Sequence, residues 1–204
     1  MTRMLKKLCL AVAVMAAAVS ISATSALAQE IYVVEGGRTT ITLTKGFIDT
    51  LANNNIVATT LYDSQLYNGK IDFPITSGAV SLKTVAGQML HSGGINLTSG
   101  SKVVRIDSLT FNTLSDTPFV TGLVIVDGKF LGRIKLFDVE LPSDLTLPIV
   151  PKDGDFFLSD VKLTLDGDAA TALNSAFSVK VFNPGATFGY SLSLVFVPLA
   201  ADGE

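Results

Sequence analysis

Apolar and polar side chains alternate along much of this chain, and a period of two puts every second side chain on one face of a strand. In Val161-Lys162-Leu163-Thr164-Leu165-Asp166 the alternation sets Val161, Leu163 and Leu165 on one face. In Tyr190-Ser191-Leu192-Ser193-Leu194-Val195-Phe196 it predicts Leu192, Leu194 and Phe196 facing inward. Segments 39–43, 79–82, 94–97 and 102–113 read the same way. Asp127-Gly128 sits between two such runs, 119–126 and 129–141, and tolerates the positive φ that a type I′ hairpin turn demands. The second run changes phase between Ile134 and Phe137, which predicts a bulge near Leu136; 102–113 shifts similarly between Ile106 and Leu109.

Two short stretches switch to a helical period. Thr44 is placed to cap a helix running to about Asn53, with Phe47, Ile48 and Leu51 on its inner side. Asp166 or Asp168 is placed to cap a second, with Ala169, Leu173, Ala176 and Phe177 inward. Both helices follow a strand. Residues 141–155 carry Pro142, Pro148 and Pro151 and read as a surface crossover within one domain, since Pro is poorly tolerated in central strands. Short strands with frequent turns predict an all-β fold, a single-domain antiparallel β-sandwich or flattened barrel with two short helices.

The first residues alter that picture. Arg3, Lys6 and Lys7 precede an apolar run over residues 8–19, and Ala26 and Ala28 supply small residues at −3 and −1 of a cut before Gln29. This is the order of a secretory signal peptide over residues 1–28, leaving a β-rich domain over 29–204. The cut removes three cations and no acid from a chain of 15 basic and 18 acidic residues, so the mature chain is distinctly acidic. It also removes Cys9, the single cysteine. A disulfide scaffold and cysteine-based zinc modules are excluded, and so is a nucleic-acid binder with a basic face. No second apolar run approaches the length of a membrane span. The expected location is exported, periplasmic or extracellular.

Candidate chemistry is sparse. His91 is the one histidine, and it enters a Gly-rich turn, where a bond to a nearby carbonyl is the simplest role. No nucleophile-elbow motif accompanies it, and Trp sugar platforms are absent, so no enzyme is expected. Asp153, Asp155, Asp160, Asp166 and Asp168 supply the carboxylate oxygens that calcium prefers, although Asp-Gly pairs also serve ordinary turns.

Several segments together carry a resemblance: Phe73-Pro74-Ile75-Thr76-Ser77-Gly78, His91-Ser92-Gly93-Gly94-Ile95-Asn96-Leu97-Thr98, Gly132-Arg133-Ile134-Lys135-Leu136-Phe137 and Ala172-Leu173-Asn174-Ser175-Ala176-Phe177. The series resembles a family of uncharacterised secreted bacterial β-rich proteins. More distantly it resembles the HtaA domain, a secreted module that binds haem in some bacteria, where a glycine-flanked His likewise ends one strand as another begins. The HtaA iron ligand is a Tyr in an N-terminal helix; the matching stretch here, residues 44–51, has Phe47 and no Tyr. The first reading is an exported, non-enzymatic β-module with a binding or structural role, whose partner is a protein or a small apolar ligand. The alternative that the resemblance implies is a carrier of haem or another small apolar ligand, with His91, Phe47 and Tyr62 or Tyr67 beside it. Mass spectrometry of protein exported from a bacterial host is expected to find Gln29 at the N-terminus; any other first residue refutes the cleavage position.

Overall fold

The computed structural model describes residues 30–198; the leader, the Ala28–Gln29 cleavage pair and the acidic tail lie outside them. The elements in chain order are β1 (Tyr32–Val34), β2 (Gly36–Leu43), α1 (Lys45–Asn53), β3 (Val57–Leu61), β4 (Gln65–Tyr67), β5 (Lys70–Val80), β6 (Gly87–His91), β7 (Gly94–Ser99), β8 (Lys102–Asn112), β9 (Phe119–Val126), β10 (Lys129–Glu140), β11 (Asp155–Leu165), α2 (Gly167–Phe177) and β12 (Thr187–Phe196). All the strand pairings are antiparallel. The hydrogen-bonded order β5-β2-β12-β11-β10-β9-β8 returns to β5 through β6, which pairs with both β8 and β5. The sheet is therefore a closed, flattened barrel, with β1, β3, β4 and β7 as extensions.

Closure depends on one broken strand. β6 and β7 pair with successive halves of β8, and the chain kinks between them at Ser92-Gly93. Gly93 has φ +81°, and a Cβ there would stand 2.0 Å from Ser64 Oγ. Only glycine combines that backbone conformation with that approach. The facing strand β8 shifts register between Asp107 and Thr110, as the phase change in its sequence predicts. β10 shifts near Leu136, also as predicted, and again at Leu131.

The two helices form where their caps stand. Thr44 accepts from the Phe47 amide at 3.2 Å, and Asp166 from the Asp168 amide at 2.9 Å, each satisfying an amide the first turn leaves open. α2 buries Ala169, Ala170, Leu173 and Ala176 against the sheet. Its Asn174 side chain accepts from the Val181 and Phe182 amides and donates to the Phe182 carbonyl, fastening the following loop. In α1, Leu51 is buried and Phe47 is partly so, but Ile48 stays exposed, contrary to the predicted inner face.

The face assigned to β12 is also overturned. Ser191, Ser193 and Val195 point into the barrel, whereas Leu192 and Phe196 are exposed and Leu194 is half-buried. Alternation says which residues share a face, not which face turns inward. Here the serines turn inward because Ser193 has a buried partner in Thr39, Oγ to Oγ1 2.8 Å. Leu163, Val120 and Ile41 form the centre of the apolar core, and Phe188 stacks on Phe137 with ring centroids 4.3 Å apart.

Thermal unfolding checks this orientation. Leu163→Ala is expected to cost about 2–5 kcal/mol through the cavity it leaves. Leu192→Ser is expected to cost less than about 1 kcal/mol, because that side chain is already in solvent. Equal losses would return β12 to the opposite orientation.

Candidate functional site

His91 is the last residue of β6, and its side chain projects into the barrel rather than into the turn that follows. Nε2 lies 2.8 Å from Thr39 Oγ1 on β2, and Thr39 lies 2.8 Å from Ser193 Oγ on β12. All three residues are buried, at 4%, 0% and 2% exposure. The ring also packs against Phe111 of β8, centroids 5.0 Å apart. One imidazole thus ties together four strands of the circuit. The expected carbonyl bond is replaced by a hydroxyl bond inside the fold.

Burial pushes the His91 pKa down to about 4. The carbonyls of Leu109 and Met89 act in the opposite direction, but neither meets Nδ1 with hydrogen-bond geometry. Nδ1 and the nearby strand's Ser191 Oγ are buried polar atoms without a partner among the described residues. The line Ser193–Thr39–His91 orders three side chains as a relay does, yet all three are buried inside the barrel.

The other site residues inferred from sequence do not converge on His91. Phe47 joins an aromatic cluster, 4.6 Å from Phe188 and 6.2 Å from Phe182. Tyr62 is 71% exposed and bonds Arg105, whose guanidinium also lies 5.2 Å over the Tyr62 ring. Tyr67 sits on the outer surface and donates to Asp72 Oδ2 at 3.2 Å. Asp72 is buried at the outer surface. Burial alone would raise its carboxyl pKa, but the bonds from Thr40, Arg38 and Tyr67 outweigh it and hold the group below the usual carboxylate range.

The five aspartates considered for calcium occupy separate local settings, with Asp168 in the first turn of α2. Asp153 and Asp160 take positive φ in a turn and a strand irregularity, Asp155 opens β11, and Asp166 caps α2 while pairing with Lys135. Among the described residues no three acidic, His or Cys side chains gather as a metal site.

Haem, which the resemblance brings in, does not fit the barrel interior. The internal voids measure about 40 and about 20 Å³ and are walled by apolar side chains such as Ile95, Ile106 and Phe137. A ligand of that size needs a pocket of roughly 300–1,000 Å³. The imidazole nitrogen nearest any partner, Nε2, is already held by Thr39.

Room for a ligand lies outside. Phe157, Leu192, Leu194 and Phe196 line a groove of about 330 Å³ on the outer face of β11, β12 and β2, with Gly37, Arg38 and Thr40. Phe157 also borders a second recess of about 410 Å³ reaching Val150 and Lys152. Sequence reasoning missed this face because it had turned the same leucines inward. The signal that could have found it is the pair of serines, which alternate with those leucines and match Thr39 across the sheet.

These features define a closed β-barrel module with two capping helices and a polar tie across its interior. The fold is that of HtaA domains. The C-terminal domain of HtaA from Corynebacterium glutamicum superposes with a TM-score of 0.63 at 16% identity, covering 82% of this chain and 99% of that one. The N-terminal domain of HtaA from the same organism gives 0.61 at 11%, covering 81% and 99%. HtaB of that organism, described as a heme binding protein, gives 0.59 at 8%, covering 83% and 96%. No protein-family model matches the chain, and no curated protein matches it in sequence.

His91 makes stability depend on pH with a definite sign. The unfolded imidazole titrates near 6.5 and the folded one at about 4, so between those values the unfolded chain binds a proton that the fold excludes. Its contribution is complete above about pH 6.5 and is lost as pH falls toward 4, to a total of about 3 kcal/mol. Denaturation of wild type and His91→Gln across that range is expected to give a shallower pH slope for the variant. Parallel curves would refute the burial of a neutral imidazole.

Proposed function

We propose that this chain is an exported, non-enzymatic β-module that binds a small apolar ligand in the outer groove of its barrel. The leader over residues 1–28 supports export; no described helix is long and apolar enough to cross a membrane. The observation that carries the binding reading is the division of space. The interior is filled to voids of about 40 Å³ or less, while apolar side chains wall about 330 Å³ outside. A groove of that size with aromatic and aliphatic walls and a polar margin at Arg38 and Thr40 suits small-molecule binding. Phe157, Leu192 and Phe196 stand together in water on one outer face, an apolar patch of the kind that marks interaction sites. The non-enzymatic part is supported by the sealing of the one histidine. HtaB's description as a heme binding protein makes haem a natural probe.

The test is titration of the mature protein with hemin, read by Soret absorbance, and with a fluorescent fatty acid, read by emission. Saturable one-to-one binding of either probe is expected, lost in Leu192→Asp and kept in His91→Gln, with circular dichroism confirming that both variants fold. Loss in His91→Gln with retention in Leu192→Asp would place the ligand inside and overturn the reading. Saturation by neither probe would leave a module without a small apolar ligand.

A further inference from the structure

A second surface, remote from the apolar groove, has the properties of a peptide-docking edge. β10 pairs with β9 from Lys129 to Asp138, with register shifts at Leu131 and Leu136, but with β11 only from Phe137 to Glu140. β11 then ends at Leu165, and one bond from the Asp166 amide to the Leu136 carbonyl marks where the two strands part. Beyond that point residues 129–135 form a strand edge about 20 Å long with no ladder on its outer side. The amide and carbonyl groups of alternate residues face outward from such an edge and invite another strand. Lys129 opposes Val126 across the two-residue turn, so the next residue, Phe130, directs its backbone groups outward.

The side chains give this edge a chemical preference. Phe130 and Leu131 are exposed at 61% and 42%, large apolar groups beside open backbone. Arg133 donates only to neutral oxygens, the Ser108 carbonyl and the Thr110 and Thr121 hydroxyls, so no carboxylate offsets its charge. Lys129 meets no carboxylate among the described residues. The acid at the turn, Asp127, is already taken by Lys102 and the Val103 amide. Lys129 is thus an uncompensated cation beside the exposed apolar pair, whereas the Arg133 guanidinium lies over β9 and β8, away from the open edge. A second copy suits this edge poorly, since antiparallel pairing of two identical β10 edges would set cation against cation.

We propose that residues 129–135 of β10 accept an extended acidic peptide segment by strand addition, with apolar side chains against Phe130 and Leu131 and a carboxylate against Lys129. Backbone bonds would supply the affinity, and the alternate side chains the choice of partner. The inference stands apart from the apolar groove and does not rest on it.

The probe is a synthetic peptide of about seven residues alternating Val or Thr with Glu, with a Lys-for-Glu peptide as control. Fluorescence anisotropy is expected to show saturable binding of the acidic peptide, weakened by salt, and roughly tenfold or more loss in Lys129→Glu. Because Arg133 also bonds neighbouring strands, Lys129→Glu is the charge variant of choice. Phe130→Pro removes the outward amide at an edge where proline is tolerated, and it is expected to abolish binding while leaving the thermal midpoint near wild type. Hydrogen exchange should show new protection at Phe130 and Arg133. Equal binding of the Glu and Lys peptides, unchanged binding in Phe130→Pro, or a concentration-dependent dimer that blocks the peptide would each overturn the proposal.

Discussion

Closure of the barrel hangs on the kink at His91-Ser92-Gly93-Gly94. A single straight strand could not pair with β5 at one end and carry β3 at the other while following β8 throughout. The break at Gly93 lets β6 turn inward to complete the circuit and β7 continue outward as an extension. Gly94 approaches as closely: a Cβ there would meet the Ile106 carbonyl oxygen at 2.4 Å. With the circuit of strand pairings complete, the interior-facing side chains around β6 are enclosed, and the burial of His91, Thr39 and the serines follows from that enclosure.

Enclosing a polar line has a cost that shapes the outside. A buried hydroxyl or imidazole must find partners, and Ser193, Thr39 and His91 find each other across three strands. Once β12 turns Ser193 inward to meet that need, its leucines and Phe196 must face outward. The same pairing therefore accounts for both the filled interior and the exposed apolar groove. HtaA domains share the barrel, and a shared fold at 16% identity or less is compatible with a ligand held elsewhere on it.

The helices complete the ends. α2 enters where β10 and β11 part, so the sheet's inner face stays covered by Leu173 and the alanines while the outer edge of β10 stays free. The bulge at Leu131 and the cations of this strand match the devices by which natural edges avoid indiscriminate pairing. Such an edge is selective rather than closed.

Much of this was legible in local sequence. Thr44, and Asp166 or Asp168, announced their helices because a cap needs only an oxygen beside the first turn, and the structure settles the second cap on Asp166. Asp127-Gly128 announced its hairpin, and phase changes near Leu136 and after Ile106 announced bulges, because alternation is a local geometric record. The site was not legible in this way. Tyr62 and Tyr67 settled on Arg105 and Asp72, the five aspartates stayed in their own turns and strand ends, and nothing in their spacing showed that none would reach His91. By itself the sequence determined strands, caps, turns and which residues share a face, since these depend on neighbours within a few positions. Only the tertiary structure decided which face of β12 lies inside, what His91 touches and where space remains. Those outcomes depend on partners up to 154 residues apart, Thr39 and Ser193 among them, that meet only when the barrel closes.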